Sequence, residues 1–320
     1  MTSVFPAGLD AMVGGWVLAA ADPLSHVVNH PAVKTEGGTW IWSGNQGNLV
    51  IAGVLMIVVG LWAARRIGTG PASQGAEAYV TRNPFAHMLE VVCVYLRDEV
   101  ARPLLHDRTT ALMPFLWTLF FFILVNNLLG LVPLVDVLHL VGVEKAWIGG
   151  TATQNFFVTA ALAVVAAVVF NVAAVVRLGP VGFVKHMLGG LPPIMFPIAL
   201  LLFLIEALGQ FVIKPFALAL RLFANMTAGH VLLASLLMFA GAGVSKISAG
   251  EGFLSNGPVT VIWVVASLAV MFLELFVAFL QAFVFMFLTT IFISLMDHHD
   301  DEHGHEHEHG HAHGHEHAHA

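Results

Sequence analysis

The amino-acid sequence predicts an all-α, polytopic membrane protein with about five membrane-spanning helices, the last two long and tilted or hairpin-like, plus one interfacial amphipathic helix. Three observations carry this. Of 320 residues, 58% are hydrophobic and 10% charged, more apolar surface than a water-soluble core of this size can hide. Apolar runs recur at or above the length of about 20 residues that crosses a hydrocarbon core of about 30 Å. Several of the thirteen Lys and Arg residues stand singly at the ends of these runs.

The first run, Leu49 to Ala64, is stopped by Arg65 and Arg66. The second extends from Phe115 to Val135 and the third from Phe156 to Val176, closed by Arg177. Pro197 to Ala240 and Val259 to Met296 are each about twice the minimum for a crossing, which a steep tilt or a hairpin would accommodate. Between the first and second runs, Asn83-Pro84 reads as an N-cap followed by N1. Phe85, Met88, Leu89, Val92, Leu96 and Val100 then recur at steps of three and four, with Arg97, Asp98, Glu99 and Arg102 gathered in the second half. That is the pattern of a helix lying in the membrane interface.

The chain therefore divides into an external N-terminal segment 1–44, a membrane domain 45–296 and a His-rich tail 297–320. With the N-terminus outside, Arg65, Arg66, Arg82, Arg97, Arg102, Arg108, Arg177 and Lys185 fall on the cytoplasmic side, against Lys34, Lys145 and Lys246 outside. The positive-inside rule selects that orientation, and an odd number of crossings puts the tail in the cytoplasm. The net charge of -7 arises from acids beyond the last apolar run; without them acids and bases balance. No basic patch points to nucleic acid. A single Cys93 excludes an internal disulfide, and no cofactor or metal-thiolate motif is present. Residues 1–21 lack the positive n-region of a cleaved signal peptide. From His298 the alternation of His with Gly, Ala, Glu or Asp cannot build a core, so a disordered, solvated tail is expected.

The strongest functional signal is polar. Glu206, Lys214, Arg221, His230 and Glu274 lie in the last two runs, with Gln210, Asn225 and Gln281 beside them. Each charge costs roughly 2.5–3.5 kcal/mol at a membrane helix centre, and such groups mark ion or substrate pathways. On a helical wheel Lys214, Arg221 and Asn225 share a side, whereas His230 points roughly opposite to Arg221 and about 13–14 Å further along the axis. Glu274 and Gln281, seven apart, share a face. Antiparallel packing would bring Glu274 to the level of His230 and Gln281 towards that of Arg221. The competing reading is helix glue: amides such as Asn225 and Gln281 commonly hydrogen-bond across membrane bundles, and Lys214 can snorkel. Ala217, Ala219, Ala224, Ala228 and Gly229 would let another helix approach, from this chain or from a partner.

The segment Lys214-Pro215-Phe216-Ala217-Leu218-Ala219-Leu220-Arg221-Leu222-Phe223-Ala224-Asn225-Met226-Thr227-Ala228-Gly229-His230 resembles the signature of subunit a of rotary F-type ATP synthases. Asn126-Asn127-Leu128-Leu129-Gly130-Leu131-Val132-Pro133 and Leu280-Gln281-Ala282-Phe283-Val284-Phe285 are similar to that family as well, and the likeness covers roughly residues 45–296. The resemblance implies that 194–240 and 258–296 are proton-channel helices. Arg221 would be the arginine facing the carboxylate of the rotor ring, with Asn225 and Gln281 near it, and His230 and Glu274 would line the half-channel open to the outside. Many bacterial members carry this imidazole and carboxylate exchanged, which preserves a relay between them. The implied partners are the ring of c subunits, peripheral-stalk b subunits, the soluble catalytic head and the lipid bilayer. The chain would not be catalytic alone, and its length without an Arg-rich leader points to a bacterial inner membrane rather than a mitochondrial one. The residues alone also admit a cation/proton antiporter built on Arg221, Glu274 and His230, or a metal exporter that collects metal on its tail.

Overall fold

The computed structural model describes residues 31–34, 40–68, 81–132, 151–188, 196–250 and 253–298. The expectations for residues 1–30, Pro133, Lys145 and the tail beyond His298 fall outside the described residues. Five helical segments are long and apolar enough to cross a membrane, and the chain is an all-α, multi-pass membrane protein. Ahead of them, Pro31–Lys34 (β1) and Trp40–Ser43 (β2) form a small antiparallel pair that the sequence reading does not anticipate.

Helix α1 spans Gly44–Arg66. Ser43 and Gln46 close a capping box: the Ser43 hydroxyl accepts from the Gln46 N–H at 3.4 Å, and the Gln46 side-chain oxygen accepts from the Ser43 N–H at 3.0 Å. Arg65 and Arg66 occupy its last turn, where the helix dipole favours cations. Helix α2 spans Pro84–Tyr95, and Asn83 caps it through its side-chain oxygen, which accepts from the N–H groups of Phe85 and Ala86, both at 3.1 Å. Of its expected apolar face, Leu96 and Val100 are buried whereas Phe85 and Met88 are exposed. Its first turn meets α1 through Phe85, whose ring centre lies 5.7 Å from that of Trp62, and its second half meets the rest of the bundle, where the Trp117 indole N–H donates to the Cys93 carbonyl at 3.1 Å.

The helical path continues from α2 through a π turn, Leu96–Ala101, a short α turn, Arg102–Leu105, and a 3-10 turn, His106–Arg108, into α3, Thr109–Leu131. The second crossing thus starts at Thr109, ahead of the expected Phe115. Helix α4, Phe156–Met187, runs past Arg177 and bends instead of stopping. The bend is at Gly179, whose φ of 71° only glycine adopts cheaply, next to Pro180, which has no N–H to give.

The last two crossings are single long helical rods rather than helical hairpins. One comprises α5, Phe196–Leu208, a π turn, Gly209–Ile213, and α6, Lys214–Ser248; the other is α7, Phe253–His298. At 1.5 Å per residue, α7 alone is about 69 Å long, so it must tilt steeply or run beyond a hydrocarbon core of about 30 Å. It also carries Asp297 and His298, assigned above to the tail, within its helical bounds. Each π turn immediately precedes a basic residue and a proline, Arg102-Pro103 and Lys214-Pro215. A proline cannot bond to the carbonyl four residues back and its ring collides with it. Widening the preceding turn, so that Arg102 N–H reaches Arg97 O and Lys214 N–H reaches Gly209 O, relieves that collision.

The core lies where α3, α4, α6 and α7 meet. Leu116 and Ile123, Ala163, Ala166 and Phe170, Leu218 and Leu222, and Phe285, Met286 and Ile293 are all buried there in one cluster. The alanines of α4 let its neighbours approach closely, which is how membrane helices gain packing where lipid offers no hydrophobic drive. Helices α6 and α7 are antiparallel and in extensive contact: Asn225 meets Gln281, His230 meets Glu274, and Gly243 lies against Thr260.

Candidate functional site

The buried side of α6 carries Pro215, Leu218, Ala219, Leu222 and Met226, the three- and four-residue steps of a single helical face. Turned by the remainder of the wheel, Ala217, Leu220, Arg221, Ala224, Asn225 and Ala228 form an exposed stripe. The small residues therefore separate into two roles: Ala219 packs inside, whereas Ala217, Ala224 and Ala228 flank Arg221 on a low, outward surface. Arg221 makes no hydrogen bond or ion pair with the described residues.

The intramembrane carboxylates are engaged elsewhere. Glu206 lies 3.9 Å from the Lys214 ammonium, which also donates to the Gln210 side-chain oxygen and sits 5.4 Å from the centre of the Phe292 ring. On a regular helix Glu206 and Lys214 are about 80° apart. The extra residue accommodated in the π turn brings them to within about 20°. Glu274 is buried on α7 and its carboxylate lies 3.9 Å from Nδ1 of His230. Gly229 makes room for it, since a β-carbon there would fall 2.7 Å from the Glu274 Oε1. Both Glu274 oxygens are buried and accept no hydrogen bond from the described residues.

Gln281 differs in detail from the expected match with the Arg221 level: its described partner is Asn225, whose amide donates to the Gln281 oxygen at 3.0 Å. The four-residue step from Arg221 to Asn225 places this bond one turn along the same stripe. It is the glue-like member of the set, a single amide–amide bond between two helices, with the Gln281 NH2 buried and without a partner among the described residues, whereas the Glu274 carboxyl accepts no bond at all.

His230 is held on three sides. Its Nδ1 faces the Met226 carbonyl at 2.9 Å, and its Nε2 faces the Thr151 hydroxyl at 2.9 Å and the Gly130 carbonyl at 3.2 Å. The turn carrying Thr151 is tied down in the same region: the Thr153 hydroxyl donates to the Asn127 oxygen at 2.9 Å, and the Asn127 amide reaches the Ala278 carbonyl at 3.4 Å. Asn126, Asn127, Thr151, Thr153, Gln154, Gln281 and Glu274 are all buried, so this end of the bundle has a polar interior. Sequence reasoning missed Thr151 as a partner of His230, and the bond between Thr153 and Asn127 behind it, because these residues lie at a helix end and a turn far away in the chain. The polar signal of Asn126-Asn127 inside an apolar run was legible without its partners. Among the described residues no group of three or more His, Cys, Asp or Glu could hold a metal ion.

The family profile described as ATP synthase A chain matches residues 48–294. The chain belongs to that family. It is 40% identical over 228 residues to the ATP synthase subunit a of Myxococcus xanthus strain DK1622, covering 70% of this chain and 65% of that protein. The ATP synthase subunit a of Chloroherpeton thalassium is 37% identical over 250 residues, covering 76% and 66%. That of Anaeromyxobacter dehalogenans strain 2CP-C is 36% identical over 254 residues, covering 79% and 57%. The chain thus spans about two thirds or less of these relatives' length, and residues 48–294, which the profile matches, contain the polar residues of the candidate site.

Proposed function

We propose that this chain is the proton-conducting stator subunit of a rotary F-type ATP synthase in a bacterial inner membrane. In this reading His230 and Glu274 pass protons from outside to a carboxylate on the rotor ring, Arg221 separates the two half-channels, and proton flow turns the ring. The observation that carries the reading is the setting of Arg221: outward, on a stripe of small residues, with no described partner in its own chain. A permanent charge in an apolar helix is costly, so the compensating carboxylate comes from another subunit. Exposure agrees with a large external contact, since only 11% and 17% of the most apolar stretches of the two long rods are buried within the chain.

The chemistry divides between groups that titrate and one that does not. Imidazole and carboxyl can gain and lose a proton, and at 3.9 Å they are one small movement or one water molecule apart. The guanidinium keeps its proton, so it attracts a deprotonated ring carboxylate without passing a proton across. Asn225 and Gln281 then fix the inner edge of the stripe against α7.

Purification in mild detergent tests the assignment. A ring of small subunits, peripheral-stalk subunits and a soluble ATP-hydrolysing head should accompany the chain; recovery of the chain alone would reject the reading in favour of a self-contained transporter. Orientation has its own expectation, with the N-terminus outside and Arg65, Arg66, Arg177, Lys185 and the tail in the cytoplasm. With Cys93 replaced by serine, Lys185→Cys and His319→Cys should react with an impermeant thiol reagent from the same face of the membrane. Labelling from opposite faces would refute the topology.

A further inference from the structure

Of the groups around His230, one hydroxyl has no part in the relay as described. We infer that Thr151 is a positioning residue for His230, serving its neutral and its protonated forms in turn, and that Gly130 is small so that this hydroxyl can reach the ring. The inference deepens the proton-relay reading of His230 and rests on it.

The partner inventory of the ring leads to this assignment. Nδ1 faces the Met226 carbonyl and Nε2 faces the Gly130 carbonyl, and a carbonyl can only accept. The protonated ring satisfies both, because both nitrogens then donate. The neutral ring donates from one nitrogen only; with the proton on Nδ1, the lone pair of Nε2 would oppose the Gly130 oxygen. The Thr151 hydroxyl, 2.9 Å from Nε2, resolves this by rotation. It donates to Nε2 when the ring is neutral and accepts from it when the ring is charged. Thr151 is 1% exposed, and its side chain has no other hydrogen-bond partner among the described residues.

The main chain prepares the same arrangement. Gly130 lies in the last turn of α3, where carbonyls have no helical partner, so its oxygen is free to face the ring. A β-carbon on Gly130 would run into the hydroxyl, β-carbon and methyl of Thr151. The Thr151 carbonyl accepts from the Gln154 N–H at 3.0 Å and the Thr153 hydroxyl bonds to Asn127, so the turn cannot easily retreat. Among the described residues, Glu274 of α7 is the charged side chain within ion-pair reach of the ring.

The test uses the complete enzyme in membrane vesicles, with proton flux normalised to the complex recovered. Thr151→Val keeps the shape and removes the hydroxyl; Thr151→Ser keeps the hydroxyl and removes the methyl. Flux should fall roughly fivefold in Thr151→Val, the scale of one buried hydrogen bond, and stay near wild type in Thr151→Ser. Gly130→Ala, which retains the hydroxyl but displaces it, should resemble Thr151→Val, and combining the two should add little. Wild-type flux in Thr151→Val while His230→Ala is deficient would overturn the positioning role alone, as would equal losses in Val and Ser. Wild-type flux in His230→Ala would overturn the relay and this inference with it.

Discussion

Replacing Arg221 by alanine or glutamine should abolish proton-driven ATP synthesis while the complex still assembles, and Arg221→Lys should not restore it. The expected loss is about a hundredfold or more, equivalent to at least about 2.7 kcal/mol. Assembly should survive because the side chain is exposed on α6 and no described residue depends on it. Under the proposed function synthesis should not survive, because Glu206 lies with Lys214 and Glu274 beside His230, and the reading assigns a ring carboxylate as the partner for this charge. Lysine carries the same charge on a compact, strongly hydrated ammonium. It lacks the planar fork and loses its proton more readily when desolvated, so it would hold the carboxylate loosely or conduct a proton across the barrier. Removing the charge should also open a passive leak that persists when rotation is blocked. Synthesis at the wild-type rate by the alanine variant, measured in energised vesicles, would refute the assignment.

His230→Ala and Glu274→Ala should each lower proton flux by about tenfold or more, a loss of about 1.4 kcal/mol in the limiting step. The exchanged double variant, His230→Glu with Glu274→His, should recover several-fold over either single exchange. The reason is contact: the two groups approach to 3.9 Å, and residues in contact show coupling that distant ones lack. Recovery should be partial on structural grounds. A carboxylate at position 230 would face the Met226 and Gly130 carbonyls with only the Thr151 hydroxyl to donate to it, and an imidazole at 274 would press on Gly229, where the carboxylate already fits closely. A double exchange no more active than the single ones, in a double-mutant cycle on proton pumping, would show that the pair does not act as a unit.

Much of the site was legible before folding because its costs are local. An arginine, a histidine and a glutamate in apolar runs are expensive whatever surrounds them, so Arg221, His230 and Glu274 stand out from composition alone. The separation of Arg221 from His230 and the common face of Glu274 and Gln281 followed from helical periodicity, and the antiparallel match of His230 with Glu274 needed only the assumption that consecutive helices pack. Less legible were the span ends. The second crossing begins at Thr109 because the interfacial segment runs into it through consecutive turns, and the third passes Arg177 because a glycine and a proline bend the helix without ending it.

The sequence by itself determined that the chain is all-α and lives in lipid, how many apolar segments it has, and which polar residues are too costly to be accidental. Those properties depend on single residues and on periods of a few residues. Only the tertiary structure decided who meets whom. It turned Arg221 outward with Ala217, Ala224 and Ala228 while Ala219 packed inside, and a π turn forced by Pro215 rotated Glu206 towards Lys214. It also paired Gln281 with Asn225, and carried Thr151 and Gly130 to the imidazole of His230 from positions 79 and 100 residues away in the chain. Contacts across such separations depend on how whole helices are rotated and staggered in the bundle, and no local pattern encodes that.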